Sequence, residues 1–164
     1  MRYVYSSPFR RCLQTAGAVA RAAGLSSVTV HLGLGEETCS VSEELAVKGL
    51  STEGVADGSG DLYLSIAAQD EALGDGVAHV NGGTPHPFDA TFEDALDRIA
   101  AAIGEIAARH PKGGVVMVSH GFAFQAIGSR LLKPAVALKY RDYCGYAVFD
   151  GSLTLLATHG VTRL

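Results

Sequence analysis

Ser6-Ser7-Pro8-Phe9-Arg10-Arg11-Cys12-Leu13-Gln14-Thr15-Ala16 carries the chain from a strand end through a tight loop into a helix, as its residue pattern predicts. A short β-prone run, Tyr3-Val4-Tyr5, leads into it. Ser7 is suited to N-cap a helix whose first position is Pro8, where a missing N–H is no loss. Leu13, Ala16, Val19, Ala20 and Ala23 then recur at helical period until Gly24, a natural residue just past a helix end. The expected unit is strand, loop, helix, with two arginines in the helix's first turn.

The same unit recurs about a hundred residues later. Val115-Val116-Met117-Val118 is a continuous apolar run, as expected for a strand buried on both faces of a parallel sheet. It passes through Ser119-His120-Gly121 into a helix expected over Phe122–Leu132. Between the two units, Val28–Leu32 reads as a strand followed by Gly33-Leu34-Gly35-Glu36-Glu37, a turn with two carboxylates. Thr91 and Asp94 form a capping-box pattern opening a helix that places Phe92, Leu96, Ile99, Ile103 and Ile106 on one face until His110-Pro111 stops it. Tyr146–Phe149, Asp150-Gly151 and Ser152–Leu156 read as a closing hairpin. Residues 46–90, rich in Gly, Ser and Asp, read as a lid-like excursion with a weak helical patch around Leu62–Leu73. Alternating strands and helices predict an α/β fold, a three-layer α/β/α sandwich on a mostly parallel sheet, in one domain spanning 1–164.

Composition narrows the function classes. At 164 residues the chain is long enough to bury roughly 70% of its unfolded surface. Apolar residues make up 48% and charged residues 18%, with no membrane-length apolar run and no targeting signal, so a cytoplasmic protein without membrane contact is expected. Cys12, Cys39 and Cys144 fit neither a disulfide framework nor a Cys-x-x-Cys site, and the six histidines show no metal-ligand spacing; neither metal nor cofactor is expected. The net charge of -4 conceals a segregation. Residues 1–35 carry four bases and no acid; residues 36–105 carry fifteen acids against Lys48 and Arg98; residues 106–164 carry seven bases against Asp142 and Asp150. Both strand-loop-helix units thus lie in basic segments that suit an anionic ligand, while the acidic middle disfavours nucleic acid.

Ligands of open α/β sheets bind beyond the carboxyl ends of the strands. That rule gathers Arg11, Glu36 and His120 on one rim. Ser7 and the arginines Arg10 and Arg11 at a helix start offer N–H groups and guanidinium forks for a phosphate, and Gly121 offers a second flexible N–H beside His120. From the residues alone the arginines read equally well as solvated surface cations, and His120 as a neutral core histidine.

These segments resemble the histidine phosphatase (phosphoglycerate mutase-like) superfamily. Ser6–Ala16 is similar to its second-strand motif, Gly33-Leu34-Gly35-Glu36 to its acid loop, and Val116–Gly121 to its second-histidine motif. The resemblance implies a catalytic set of Arg11, Glu36 and His120, with Arg11 on phosphate, Glu36 as proton donor and His120 as the second active-site histidine. Beside these, the helix-start reading expects phosphate contacts from Ser7, Arg10 and Gly121. The family's phosphate-accepting histidine lies in an Arg-His-Gly motif ending the first strand, and no Arg-His-Gly occurs in this sequence. The expectation is therefore a phosphomonoester hydrolase by family, inactive or impaired as this chain and missing the first family strand. In the family sheet that strand lies beside the one carrying the second histidine. Without it, Val115–Val118 should pair with Tyr146–Phe149 or present an exposed edge open to homo-oligomerisation.

Two other readings use the same residues. A non-catalytic module would bind a phosphorylated small molecule or phosphoprotein through Arg11 and His120 without needing a nucleophile. A serine hydrolase would use Ser119, Asp150 and His159, which occur in the right chain order, but Met117 occupies a position where the nucleophile turn calls for glycine.

Overall fold

A computed structural model describes residues 1–39, 66–82, 89–140 and 142–163. Its centre is a parallel four-stranded sheet in the order β3-β2-β1-β4, built from β1 (Tyr3–Ser6), β2 (Ser27–His31), β3 (Ala78–Gly82) and β4 (Val115–Val118). β1 pairs with β4 from Tyr3↔Val115 to Ser6↔Val118, and with β2 at Tyr5↔Thr29 and Ser6↔Val30. This register brings the carboxyl ends of β1, β2 and β4 to one rim.

The sheet separates two cores because successive side chains of β1 point to opposite faces. Val4 packs with Val28 and Val30 against Leu13, Ala16 and Ala20 of α1 (Arg10–Ala22), and against Leu73 at the end of α2 (Ile66–Leu73). Tyr5 packs on the other face with Ile99, Ile103 and Ile106 of α3 (Phe92–Arg109) and Ala123 and Ala126 of α4 (Gly121–Ala126). Helices on both faces of a mostly parallel sheet make the α/β/α sandwich that the alternating pattern predicts. Ile66–Leu73 and Ala78–Gly82 lie inside the stretch read as an excursion, yet they supply a packed helix and a sheet strand; residues 46–65 and 83–88 lie outside the described residues.

Four local expectations are corrected. α1 begins at Arg10, with Phe9 as an extended N-cap, instead of after Ser7. Ser7 is already claimed, its N–H by Val118 O at 2.9 Å and its hydroxyl by His120, so the chain stays extended two residues longer. β4 is not buried on both sides: among the described strands it pairs with β1 alone, and its four residues are only half-buried. The pairing expected between β4 and Tyr146–Phe149 is not formed among the described residues: β6 (Tyr146–Phe149) pairs with β7 (Leu155–His159) in a separate sheet. The hairpin turn is longer than Asp150-Gly151, because the Asp150 carboxylate accepts from the N–H groups of Ser152 and Thr154 and delays β7 to Leu155. α4 gives way to a π-turn over Ile127–Leu131, where a Cβ on Gly128 would stand 2.1 Å from Val136 O. A last small pair, β5 (Leu138–Tyr140) and β8 (Val161–Arg163), closes the chain.

α3 follows its pattern closely. The capping box is complete, with Thr91 Oγ1 accepting from Asp94 N and Asp94 accepting from Thr91 N. Only Phe92 departs, standing exposed at the first turn against Phe122.

Candidate active site

Arg11, Glu36 and His120 come together at the carboxyl rim although they are distant in sequence. His120 follows β4 and is the N-cap of α4; Gly121 begins that helix. Its side chain is buried, and its neighbours are polar on both ring nitrogens. Arg11 Nη2 lies 2.6 Å from Nδ1, and Ser7 Oγ lies 2.7 Å from Nε2. A guanidinium can only donate, so Nδ1 must be the accepting nitrogen and the ring proton sits on Nε2, donating to Ser7. Burial, with the cations Arg11 and Arg98 adding to it, holds the imidazole's pKa down to about 3, so the ring is neutral near pH 7. Phe9 packs edge-on to the same ring at 5.0 Å and carries the Arg11 guanidinium over its own face at 5.1 Å.

Glu36 reaches the same nitrogen. Its Oε2 stands 3.3 Å from His120 Nδ1 and 3.6 Å from Arg11 Nη2. An ionised carboxylate would there face the lone pair of a neutral imidazole, so the pair attracts only when Glu36 keeps its proton. Burial raises the Glu36 pKa against the opposing pull of Arg11, and its buried Oε1 has no hydrogen-bond partner among the described residues. A carboxyl inclined to hold a proton near an arginine is what a general acid requires. The neighbouring carboxylate, Glu37, turns away and accepts from the Cys39 thiol at 3.0 Å. Of the two acids in the loop, Glu36 is the one that faces the site.

Arg10 does not join. It turns outward to Glu71 at 3.5 Å, both side chains exposed. Ser7 belongs to the cluster through His120 rather than as a helix cap. The sequence reading also passed over Cys12, whose thiol donates to Ser119 O at 3.4 Å and lies 3.6 Å from His120 Nε2. Burial pushes its pKa up to about 11, so it stands there as a thiol and not as a nucleophile. Ser119, Asp150 and His159 are not assembled: Ser119 Oγ donates to Leu34 O, the Asp150 carboxylate closes its own turn, and His159 stacks on Tyr146.

The largest omission is the support beneath Glu36. Arg98, on α3, spends all five of its N–H donors there: Nε and Nη2 on the two oxygens of Asp89, Nη1 on Gly33 O and Gly35 O, and Nη2 again on Glu36 O, all between 2.7 and 3.2 Å. Asp89 in turn accepts from Thr38 N and Thr38 Oγ1, and its own N–H donates to Thr38 Oγ1. Burial alone would raise the Asp89 pKa, but Arg98 and Thr38 outweigh it and hold the carboxylate below its ordinary range. Gly33 lets this loop lie against α3, since a Cβ there would come within 2.8 Å of Ala102 Cβ. One signal was available in the sequence: Arg98 is one of only two bases among the fifteen acids of residues 36–105.

Among the described residues no helix is long and apolar enough to cross a membrane, and no cluster of His, Cys, Asp and Glu could hold a metal ion. No match was found among curated proteins or solved structures. A family model, the histidine phosphatase superfamily (branch 1), matches residues 59–159, well over half of the chain and including β4, His120 and α3. Ser7, Arg11 and Glu36 precede the matched range and enter the site on geometry. With the α/β sandwich and the strand-end cluster around His120, the match shows that this chain belongs to the histidine phosphatase superfamily.

Proposed function

We propose that the chain binds a phosphomonoester at the Arg11–Glu36–His120 cluster and that these 164 residues by themselves turn it over poorly or not at all. The observation that carries the binding half is the convergence of a cation, an acid and a neutral imidazole within 3.6 Å of one another at three strand ends. The first turn of α1 adds to it. That turn holds Arg10 and Arg11 and no acid, although a helix N-terminus favours anions and disfavours cations by about 0.3–1 kcal/mol each. A phosphate over Arg11 would relieve that mismatch, and α1 would present its uncapped end to it.

In this reading Arg11 holds phosphate oxygens, His120 and Ser7 set the inner wall, and Glu36 supplies the proton to a leaving oxygen. The ligand class is a phosphorylated small molecule or a phosphorylated protein side chain. The impairment half rests on the missing acceptor. Family chemistry passes through a phosphohistidine, and the sequence contains no Arg-His-Gly. Both ring nitrogens of His120 are engaged, by Arg11 and Ser7. The other described histidines have partners of their own: His31 with Gly33 N, His79 with Asn81, His110 with Tyr5, and His159 with Tyr146.

Hydrolysis of an aryl phosphate by this polypeptide tests the impairment. A rate matching that of His120→Ala is expected. Robust turnover that disappears in His120→Ala would overturn it.

A further inference from the structure

We propose that Arg98 is a positioning residue of this site: with Asp89 and Thr38 it locks the Gly33–Glu36 backbone so that the Glu36 side chain is presented to Arg11 and His120. The inference deepens the phosphate-site reading, and only its second arm below rests on that reading.

Three observations carry it. Arg98 uses its complete donor set, and three of the five bonds go to the carbonyls of Gly33, Gly35 and Glu36, the backbone that carries the acid. The guanidinium is nearly buried, with 10% of its side chain exposed, and Asp89, at 3%, neutralises it through a two-pronged contact at 2.8 and 2.7 Å. Thr38, two residues past Glu36, is fully buried and ties the far side of the same loop to Asp89 through its N–H and its hydroxyl. The loop is therefore held on both sides of Glu36 by one carboxylate–guanidinium pair rooted in α3 and the segment before it. Ser119 also holds this loop, through Leu34 O, but Arg98 on Glu36 O and Thr38 two residues on are the anchors nearest the acid. The fork geometry is specific to arginine; lysine keeps the charge but has three donors and no planar array.

That difference makes the test. The charged and titratable groups around Glu36 are Arg11, Glu37 and Arg98, together with the facing His120 and the Cys12 thiol. Arg98→Lys preserves every one of those charges and removes only the clamp. The Glu36 carboxyl is followed by carbon-13 NMR, assigned by its disappearance in Glu36→Gln. In the native protein burial holds its pKa above the ordinary glutamate range; in Arg98→Lys the titration is expected to shift down toward that range as the side chain swings into water. An unchanged titration in a folded Arg98→Lys protein would overturn the proposal. If Arg98→Lys does not fold, Thr38→Val and Thr38→Ser decide. A smaller downward shift in Thr38→Val that Thr38→Ser restores supports positioning, and no shift in Thr38→Val overturns it. In the second arm, inorganic phosphate is titrated into the same proteins. Weaker binding in Arg98→Lys, with Arg11 and His120 intact, is expected. If the native protein binds no phosphate, the phosphate-site reading fails, while the NMR arm still decides the role of Arg98.

Discussion

Arg11 and Glu36 compete for one imidazole nitrogen, and that competition sets how the site should respond to pH. While Glu36 keeps its proton, the Arg11 cation is uncompensated and open to an anion. Once Glu36 ionises, a carboxylate 3.6 Å from the guanidinium takes the place an anion would occupy. Because burial raises the Glu36 pKa, the change falls above the ordinary glutamate range of about 4.5. Sulfate, whose charge is constant over this interval, should therefore bind less tightly as pH rises through the Glu36 titration. Glu36→Gln should flatten the profile and bind more tightly near pH 7; calorimetry across the pH range reads both. In any form that turns over phosphomonoesters, the same substitution should slow substrates with poor leaving groups far more than aryl phosphates.

Among the elements, α1 and α2 cross where Gly17 lets them touch. A Cβ on Gly17 would stand 2.0 Å from Leu73 O, a backbone atom that cannot rotate aside. Gly17→Ala should therefore cost about 1–3 kcal/mol in a urea unfolding curve, despite alanine's better helix propensity. Thr91→Ala, which removes the α3 cap, should cost about 1 kcal/mol. What was legible in the sequence follows the same division between local and distant causes. α3 could be read because its cap and its apolar stripe are set within a few residues of each other. The start of α1 could not, because Ser7 is drawn out of the capping role by Val118 and His120, more than a hundred residues away. β7 was misplaced for a nearer reason, a side chain closing its own turn at Asp150, which a Asp-Gly pair does not announce. The rim could be read from strand ends alone, and Arg11, Glu36 and His120 do meet there. Arg98 could not be given its part, because the three carbonyls it holds lie more than sixty residues upstream.

At the scale of the whole molecule, the two buried groups with depressed pKa values predict acid sensitivity. An unfolded His120 takes up a proton near 6.5, whereas the folded one stays neutral until about 3, so the unfolded state binds more protons between those limits. Stability should fall as pH drops from 6.5 toward 3, with a slope approaching about 1.4 kcal/mol per pH unit for this one group. Asp89, held below its ordinary 3.8, adds its own loss in stronger acid. Glu36 runs the other way, with a stabilising proton lost as pH rises above 4.5. Urea midpoints against pH should show the acid decline in the native protein and a shallower one in His120→Asn. The segregated charge has its own consequence. Bases flanking an acidic middle favour an anion at the rim and not along an extended surface, and the proposed site is correspondingly local, with Arg11 as its phosphate contact. Calorimetric titration of inorganic phosphate into the native chain, Arg11→Ala and His120→Ala tests it most directly. Saturable binding to the native chain that weakens ten-fold or more in Arg11→Ala is predicted, in keeping with about 1.5–3 kcal/mol for a charge-assisted hydrogen bond. Absence of binding, or binding indifferent to Arg11, would contradict it.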